Sequence, residues 1–284
     1  MSELVNKYLT KADIVSIDAL NKAIKSDSIT VTCMGLYNHG KSTLLNTLIK
    51  DFEYKTFKTA DVRETSVNKT IEFGSIKFVD TPGLNARVHD DKRVMDAIKE
   101  SDINLFVHTV TTGEFVENEI EFLNNVKKHW KNPQEFINRT IFVATRIDKA
   151  SNDTDITNTV KKMYTQIYEI FNCEATIIPV SAVRYTKGKV ESKALLVKKS
   201  NIEVLEKSMK NLSNELLDSI RETRKLRLEN KYSDLIRKFS SIAQENKLKI
   251  TNLKREQYKY LTSLNNDIKI IESTLGNMHS KLGD

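Results

Sequence analysis

Glycine and proline are scarce in this chain: eight glycines and three prolines in 284 residues. All three prolines (Pro82, Pro133, Pro179) and six of the glycines precede residue 190, and from Lys189 to Leu275 neither residue occurs. A gap that long predicts continuous helix. Cysteine is rarer still. Cys33 and Cys173 stand in no metal-type spacing, which excludes a disulfide framework and a cysteine-rich zinc motif and leaves two reduced thiols. No run approaches the ~20 apolar residues of a membrane span. The opening "MSELVNKYLTKAD" alternates in charge and has no apolar core, which excludes a secretion signal. The expectation is a cytoplasmic chain whose contact with a membrane, if it makes one, is peripheral.

What is present fits a soluble domain able to bury a core: 39% of residues are hydrophobic and 29% are charged. The net charge of +7 suits anionic partners such as nucleotides, RNA or an acidic lipid surface.

Short runs rich in Val, Ile, Phe and Thr alternate with segments of helical spacing. "SITVTCMG" (28–35), "VNKTIEF" (67–73), "SIKFVD" (75–80), "INLFVHTV" (103–110), "RTIFVATR" (139–146) and "ATIIPV" (175–180) read as strands. Helical spacing marks 41–50, 91–100, 118–130 and 156–171. Buried strands alternating with helices predict an α/β fold, a mixed, mostly parallel sheet with helices on both faces. The tight turn Gly74-Ser75 makes one pair antiparallel. A helical extension, bundle or coiled coil, follows. Leu228, Tyr232, Leu235, Phe239 and Ile242, then Leu261, Leu264, Ile268, Ile271, Leu275, Met278 and Leu282, step by threes and fours as a heptad seam does. Its phase slips between Gln244 and Gln257, through either a stutter in one long helix or the bend of a hairpin. Leu4 to Ile24 also reads as helix and is placed to pack on the later ones.

Two of the few glycines bracket "GLYNHGKS" (35–42), between a strand and a helix. Gly35-x4-Gly40-Lys41-Ser42 in that context is the pattern of a phosphate-binding loop. Gly40 lets backbone approach a phosphate without a Cβ in the way. The loop N–H groups, from Asn38 and His39 through Thr43, and the helix N-terminus turn positive dipole toward anionic oxygens. Lys41 is the candidate bridge between β- and γ-phosphates, and Ser42 the hydroxyl ligand of Mg2+. "FVDTPGL" (78–84) ends a strand in Asp80, a candidate for the Mg2+ shell, and Gly83, whose N–H is placed to sense a γ-phosphate. "VATRID" (143–148) supplies Thr145, Arg146 and Asp148. Asp148 is placed to accept two hydrogen bonds from guanine that adenine does not offer, and Arg146 to lie along the base. Ser181 and Ala182 of "PVSAV" (179–183) are placed to support Asp148 and to offer an N–H to guanine O6.

The order "GxxxxGKS", "DTPG", "TRID", "SA" resembles the translation-factor-like GTPases, the class with Ras-like, Era-like and dynamin-like members, over residues 28 to 220. Arg146 stands where that family usually has Lys; both place an alkyl stem and a positive charge over the base. Within the class, "GKSTLLNTLI", "ADVRETS", "DTPGLNA" and "TGEFVENEIEFL" are similar to the bacterial dynamin-like GTPases of the LeoA type. The resemblance implies an N-terminal helix (1–27) packing on the extension, a GTPase domain (28–200) and a helical extension (201–284). It implies GTP and GDP with Mg2+, and self-association through the GTPase domain or pairing with a related GTPase. The chain is short for a full stalk with a membrane-touching tip, as a small member or a segment cut within the stalk would be.

Thr65 is the candidate switch hydroxyl that completes the Mg2+ shell, with Thr59, Ser66 and Thr70 as rivals. Leu84 follows Gly83 where Ras-like members carry a water-orienting Gln, and an apolar side chain cannot activate water. In the family an Asn at the position of Asn38 is associated with K+ coordination; the alternative is an Asn that braces the loop. His39, His89, Arg63 and Arg87 read as solvated loop groups, and Glu114, Glu117 and Glu119 as a cluster that complements a helix dipole. Three functions compete: a dynamin-like GTPase with a membrane lipid partner, an Era-like GTPase acting on ribosomal RNA, and a non-hydrolysing nucleotide-binding scaffold. RNA is disfavoured, because the tail shows heptads and no interleaving of aromatic and basic residues.

Overall fold

A computed structural model of the chain describes residues 8–57, 69–84, 90–130 and 132–280. Its centre is a six-stranded sheet in the order β2-β3-β1-β4-β5-β6. The strands are β1 (Ile29–Met34), β2 (Lys69–Phe73), β3 (Ile76–Asp80), β4 (Ile103–Thr109), β5 (Thr140–Thr145) and β6 (Thr176–Pro179). All neighbours are parallel except β2 and β3, which are joined at Gly74. The mixed α/β fold class is the one expected. β2 is the exposed edge and carries Lys69 and Glu72, charges that discourage pairing with another sheet.

The central strands are hydrophobic on both faces because each face has its own core. Val31, Cys33, Leu105, Val107, Ile141 and Val143 face one. Met34, Phe106, Phe142 and Ala144, offset by one residue, face the other. The first core is closed by Leu44, Leu45 and Leu48 of α2 (Lys41–Leu48), and the second by α3 (Asp90–Glu100), α4 (Glu117–His129), α5 (Pro133–Asn138) and α6 (Asp153–Phe171). Phe106 lies within 5.5 to 6.3 Å of Phe115, Phe122 and Phe142, centroid to centroid. Each such fully buried side chain contributes roughly 1.5–3 kcal/mol. Cys33 and Cys173 are both free thiols.

The glycine- and proline-free third is not one helix. Beginning with the last residues of α7 (Ala182–Val190), it is broken into α8 (Ala194–Lys199), α9 (Ile202–Glu215) and α10 (Leu217–Ser280). Two of the three breaks come at Ser192 and Asn201, both left-handed (φ 56), a conformation that Asn reaches more easily than most residues, and the third at Leu216 (φ -94, ψ 1). α10 is continuous for 64 residues, so the slip in the heptad phase is a stutter and not a hairpin.

Two compact units are distinguished: residues 25–222, and residues 1–24 together with 223–284. In the second unit α1 (Lys11–Lys25) lies along α10. Tyr8 meets Phe239 edge to face, and Arg224 Nη1 donates to Ala23 O at 2.7 Å. Thr10 and Asp13 cap α1 reciprocally, Asp13 N–H to Thr10 Oγ1 at 3.1 Å and Thr10 N–H to Asp13 Oδ2 at 3.2 Å. The same carboxylate takes Lys231 at 2.9 Å and Lys238 at 3.2 Å. The first half of the seam is partly covered, with Leu235 buried; Leu261, Leu264, Ile268, Ile271, Leu275 and Met278 are exposed.

The Lys231 bond, then the Thr10 bonds, hold the Asp13 carboxyl well below the usual carboxylate range. A depressed carboxyl stabilises the fold above its unfolded value and loses that contribution as pH falls. Hydrogen-exchange protection of α1 amides is therefore expected to be higher in the wild type than in Asp13→Asn at neutral pH. The gap should close as the solution is acidified below about pH 4.

Candidate functional site

The strand order reverses direction at β1: the chain leaves it to build β3 on one side and β4 on the other. In open α/β sheets such a switch point opens a crevice at the carboxyl ends of the strands. Gly35 follows β1, Asp80 ends β3, Thr145 ends β5 and Ser181 follows β6. Folding thus collects at one edge of the sheet four groups spread over 147 positions, from 35 to 181.

The two loop glycines are needed for different reasons. Gly35 has φ 144, and a Cβ built there would lie 2.1 Å from the Val107 carbonyl oxygen. Gly40 is the left-handed N-cap of α2 (φ 90, ψ 18) and has room for a Cβ, so its constraint is conformational. α2 begins with no side-chain cap and no acidic residue in its first turn, which leaves its first N–H groups for an external acceptor.

Lys41 is buried, and its Nζ donates to Gly35 O (3.1 Å) and Leu36 O (2.9 Å). Burial pushes its ammonium below the usual lysine value, against the opposing charge of Asp80. Ser42 Oγ donates to Asp80 Oδ2 at 2.8 Å. Asp80 Oδ1 is buried without a hydrogen-bond partner. Burial raises the Asp80 carboxyl, opposed by Lys41 and then Ser42. A hydroxyl beside an orphaned buried carboxylate oxygen is an oxygen donor set for a hard divalent cation, so these residues fit Mg2+.

At the other end of the crevice, Thr145 Oγ1 lies 2.7 Å from His39 O and 3.0 Å from His108 O and so ties the loop to β4. Arg146 is left-handed (φ 61), and its Nη2 donates to Asn38 O at 2.6 Å. The guanidinium therefore grips the phosphate loop. Ser181 Oγ donates to Asp148 Oδ1 while accepting the N–H of Arg184 at 3.0 Å. Ala182 opens α7. The 179–181 turn is itself held by Asn201 Nδ2 on Pro179 O (2.9 Å) and by Ser181 N–H on Ser200 O (2.9 Å), a support that nothing in the spacing announced.

Several expectations meet a different arrangement. His39 is not solvated: it is 7% exposed, and its ring is turned inward toward Glu119. Glu119 stands in the first turn of α4 as expected, its carboxylate accepting the Val116 N–H, but it is fully buried. Of its two companions, Glu114 pairs with Lys162 at 3.2 Å on the surface. Leu84 is buried, and its N–H is bonded to Gly35 O at 3.1 Å, so it has no access to a nucleophilic water. Gly83 packs against the Tyr37 backbone, and Asn38 is exposed. Thr65, with Thr59, Arg63, Ser66, Arg87 and His89, lies outside the described residues, whereas the rival Thr70 is on exposed β2.

Residues 30–146 match the family model described as "50S ribosome-binding GTPase". This stretch is a P-loop GTPase domain. An uncharacterised protein of Acinetobacter baylyi is 32% identical over 235 residues, 82% of this chain and 52% of the relative. GTPase Era of Clostridium tetani is 31% identical over 162 residues, 54% of this chain and 50% of Era. The chain thus spans about half the length of these relatives. Among solved structures, one of an oligomerised bacterial dynamin pair, reported as a mechanism for long-range sensing and tethering of membranes, has a TM-score of 0.55 at 13% identity and covers 96% of this chain and 53% of that one. At that identity the likeness shows the fold of the GTPase domain and its helices. A subfamily such as the LeoA type is finer than it can carry.

If the Val107 contact is what reserves position 35 for glycine, Gly35→Ala should destabilise the GTPase domain by about 2–4 kcal/mol, backbone strain plus overpacking. Gly74→Ala, where a Cβ meets nothing within 4 Å, should cost only about 1–2 kcal/mol. Urea unfolding of the two variants checks this; equal losses would contradict the contact.

Proposed function

We propose that this chain binds GTP with Mg2+ and hydrolyses it to GDP and phosphate, and that GTP-dependent contact between GTPase domains rearranges the helical extension at a membrane surface. The observation that carries the catalytic part is Lys41, a buried ammonium whose partners are two carbonyls of its own loop. A triphosphate offers it anionic oxygens in place of neutral ones and adds charge-assisted bonds. The loop N–H groups from Asn38, His39, Gly40 and Thr43 receive the remaining oxygens. Ser42 and Asp80, with Thr65 once the γ-phosphate is present, are the residues that would hold Mg2+, which neutralises charge on the phosphate oxygens. Gly83 N–H reads the γ-phosphate. Asp148, oriented by Ser181, reads guanine, with Thr145 and Arg146 shaping the base pocket and Ala182 N–H facing O6.

Phosphoryl transfer to water needs positioning and charge more than covalent chemistry. Lys41 supplies charge, but the buried Leu84 cannot position water. Turnover by an isolated copy is therefore slow and rises when a second copy, or a related GTPase, completes the site. Asn38, exposed on the phosphate loop, is the proposed K+ ligand. The dynamin-like part draws support from the fold likeness that extends over 96% of the chain and from the apolar seam exposed along α10. No helix among the described residues is long and apolar enough to cross a membrane, so the proposed lipid contact is peripheral. A second reading, an Era-like GTPase acting on ribosomal RNA, has the 31% identity to Era in its favour.

GTP turnover per molecule, measured against protein concentration in K+ and in Na+, with liposomes or structured RNA, separates these. The expected result is a rate that climbs with concentration and climbs further with K+ and liposomes. A flat rate throughout would contradict self-activation, and stimulation by RNA alone would favour the Era-like reading. Asp148→Ala should weaken GTP binding by about 100-fold, the value of losing one or two hydrogen bonds to a charged acceptor at about 1.5–3 kcal/mol each, and leave ATP binding unchanged. Equal losses for both nucleotides would remove Asp148 from base selection.

A further inference from the structure

Three buried side chains from three elements converge inside the GTPase domain, apart from the Ser42–Asp80 pair: His39 of the phosphate loop, His108 of β4 and Glu119 of the first turn of α4. They are 7%, 0% and 0% exposed. Glu119 Oε1 and Oε2 lie 3.0 and 2.9 Å from His108 Nδ1, and Oε1 lies 3.2 Å from His39 Nδ1. Oε2 also accepts the Val116 N–H at 3.1 Å, a capping bond that fixes the carboxylate.

Hydrogen-bond chemistry shows how poorly these groups answer one another. His108 Nε2 is 2.8 Å from Gly113 O, and a carbonyl only accepts, so Nε2 carries the hydrogen. A neutral His108 then presents the bare lone pair of Nδ1 to a carboxylate oxygen, two acceptors facing each other. His39 Nδ1 approaches the same carboxylate but is a buried nitrogen with no hydrogen-bond partner. Such an orphan is costly unless something occupies it. A cation placed among them answers the carboxylate and both ring nitrogens at once. A single proton on His108 satisfies one imidazole and leaves His39 as it is. A metal ion engages all three.

We propose that His39, His108 and Glu119 bind a divalent transition-metal ion, Zn2+ by the nature of the donors, with a fourth position left for water. Two imidazoles and one carboxylate form a zinc donor set. The Glu119 oxygens lie 2.9 and 3.2 Å from the two imidazole nitrogens, close to the edge of about 3.3 Å of a tetrahedron with bonds of about 2.05 Å, and the three donors all lie within 4.8 Å of one another. The Gly113 carbonyl does what an outer partner of a metal-bound histidine does, fixing the tautomer and the ring plane. Imidazole donors also set this site apart from the oxygen-only Ser42–Asp80 site, which suits a harder cation. The ion would tie the residue before Gly40 to β4 and α4, so the shape of the phosphate loop would depend on it.

The test is zinc uptake by the untagged full chain, stripped with a chelator and held in excess Mg2+ to fill the oxygen site, read by competition with a chromophoric zinc chelator. One equivalent is expected, and Co2+ in its place should give the visible absorption of a tetrahedral ion. His39→Ala, on the loop, and Glu119→Gln should each weaken uptake by at least about tenfold, while His279→Ala leaves it intact. His39→Ala keeps the test decisive if the buried Glu119→Gln fails to fold. Folded wild type that takes up no zinc would overturn the proposal and assign a proton to the site. Equal uptake by wild type and His39→Ala would overturn it as well.

Discussion

Lys41 is a buried cation whose hydrogen bonds go to two carbonyls of its own loop, and the loop architecture is arranged around that fact. An ammonium in such a place is disfavoured by desolvation, and the charge of Asp80 nearby offsets part of the penalty. The loop keeps its shape only because Gly35 passes within reach of the Val107 carbonyl, Gly40 turns left-handed into α2, and Thr145 and Arg146 hold the carbonyls of His39 and Asn38 from the neighbouring strand end. A cup fixed this way requires little reorganisation when an anion arrives, the condition for electrostatic stabilisation in phosphoryl transfer.

The same strand ends link the proposed base pocket to the phosphate loop. Arg146 reaches back to the loop, and two residues later Asp148 faces Ser181, whose turn is buttressed by Ser200 and Asn201. α9, which the sequence places in the extension, packs on the GTPase domain. α9 buries Ile202, Leu205 and Met209 in the core on that face of the sheet.

Strands were readable in the sequence because β-branched runs bounded by glycine and charge have few alternatives; every strand lies within the run that predicts it, and the Gly74 turn gives the antiparallel pair. The phosphate loop was readable because its glycines are needed for local reasons. Helix boundaries after residue 188 were not, since Ser192 and Asn201 break the chain with left-handed residues other than glycine or proline. Nor was the His39–His108–Glu119 cluster. Its members are distant in sequence, and each taken alone is an ordinary loop histidine, strand residue or helix-start glutamate; only the strand order brings them together. The two halves of the α10 seam both step by threes and fours, yet one half is partly covered and the other exposed, a difference the heptads do not announce.

The central claim is that a preformed cup selects a guanine nucleotide by its phosphates and its base together. Isothermal titration of nucleotide-free protein with GTP, GDP and ATP in Mg2+ tests it most directly. The account predicts saturable binding of GTP and GDP, with ATP weaker by about 100-fold, the worth of the bonds adenine cannot make. No heat with either guanine nucleotide, or equal affinity for ATP, would contradict it.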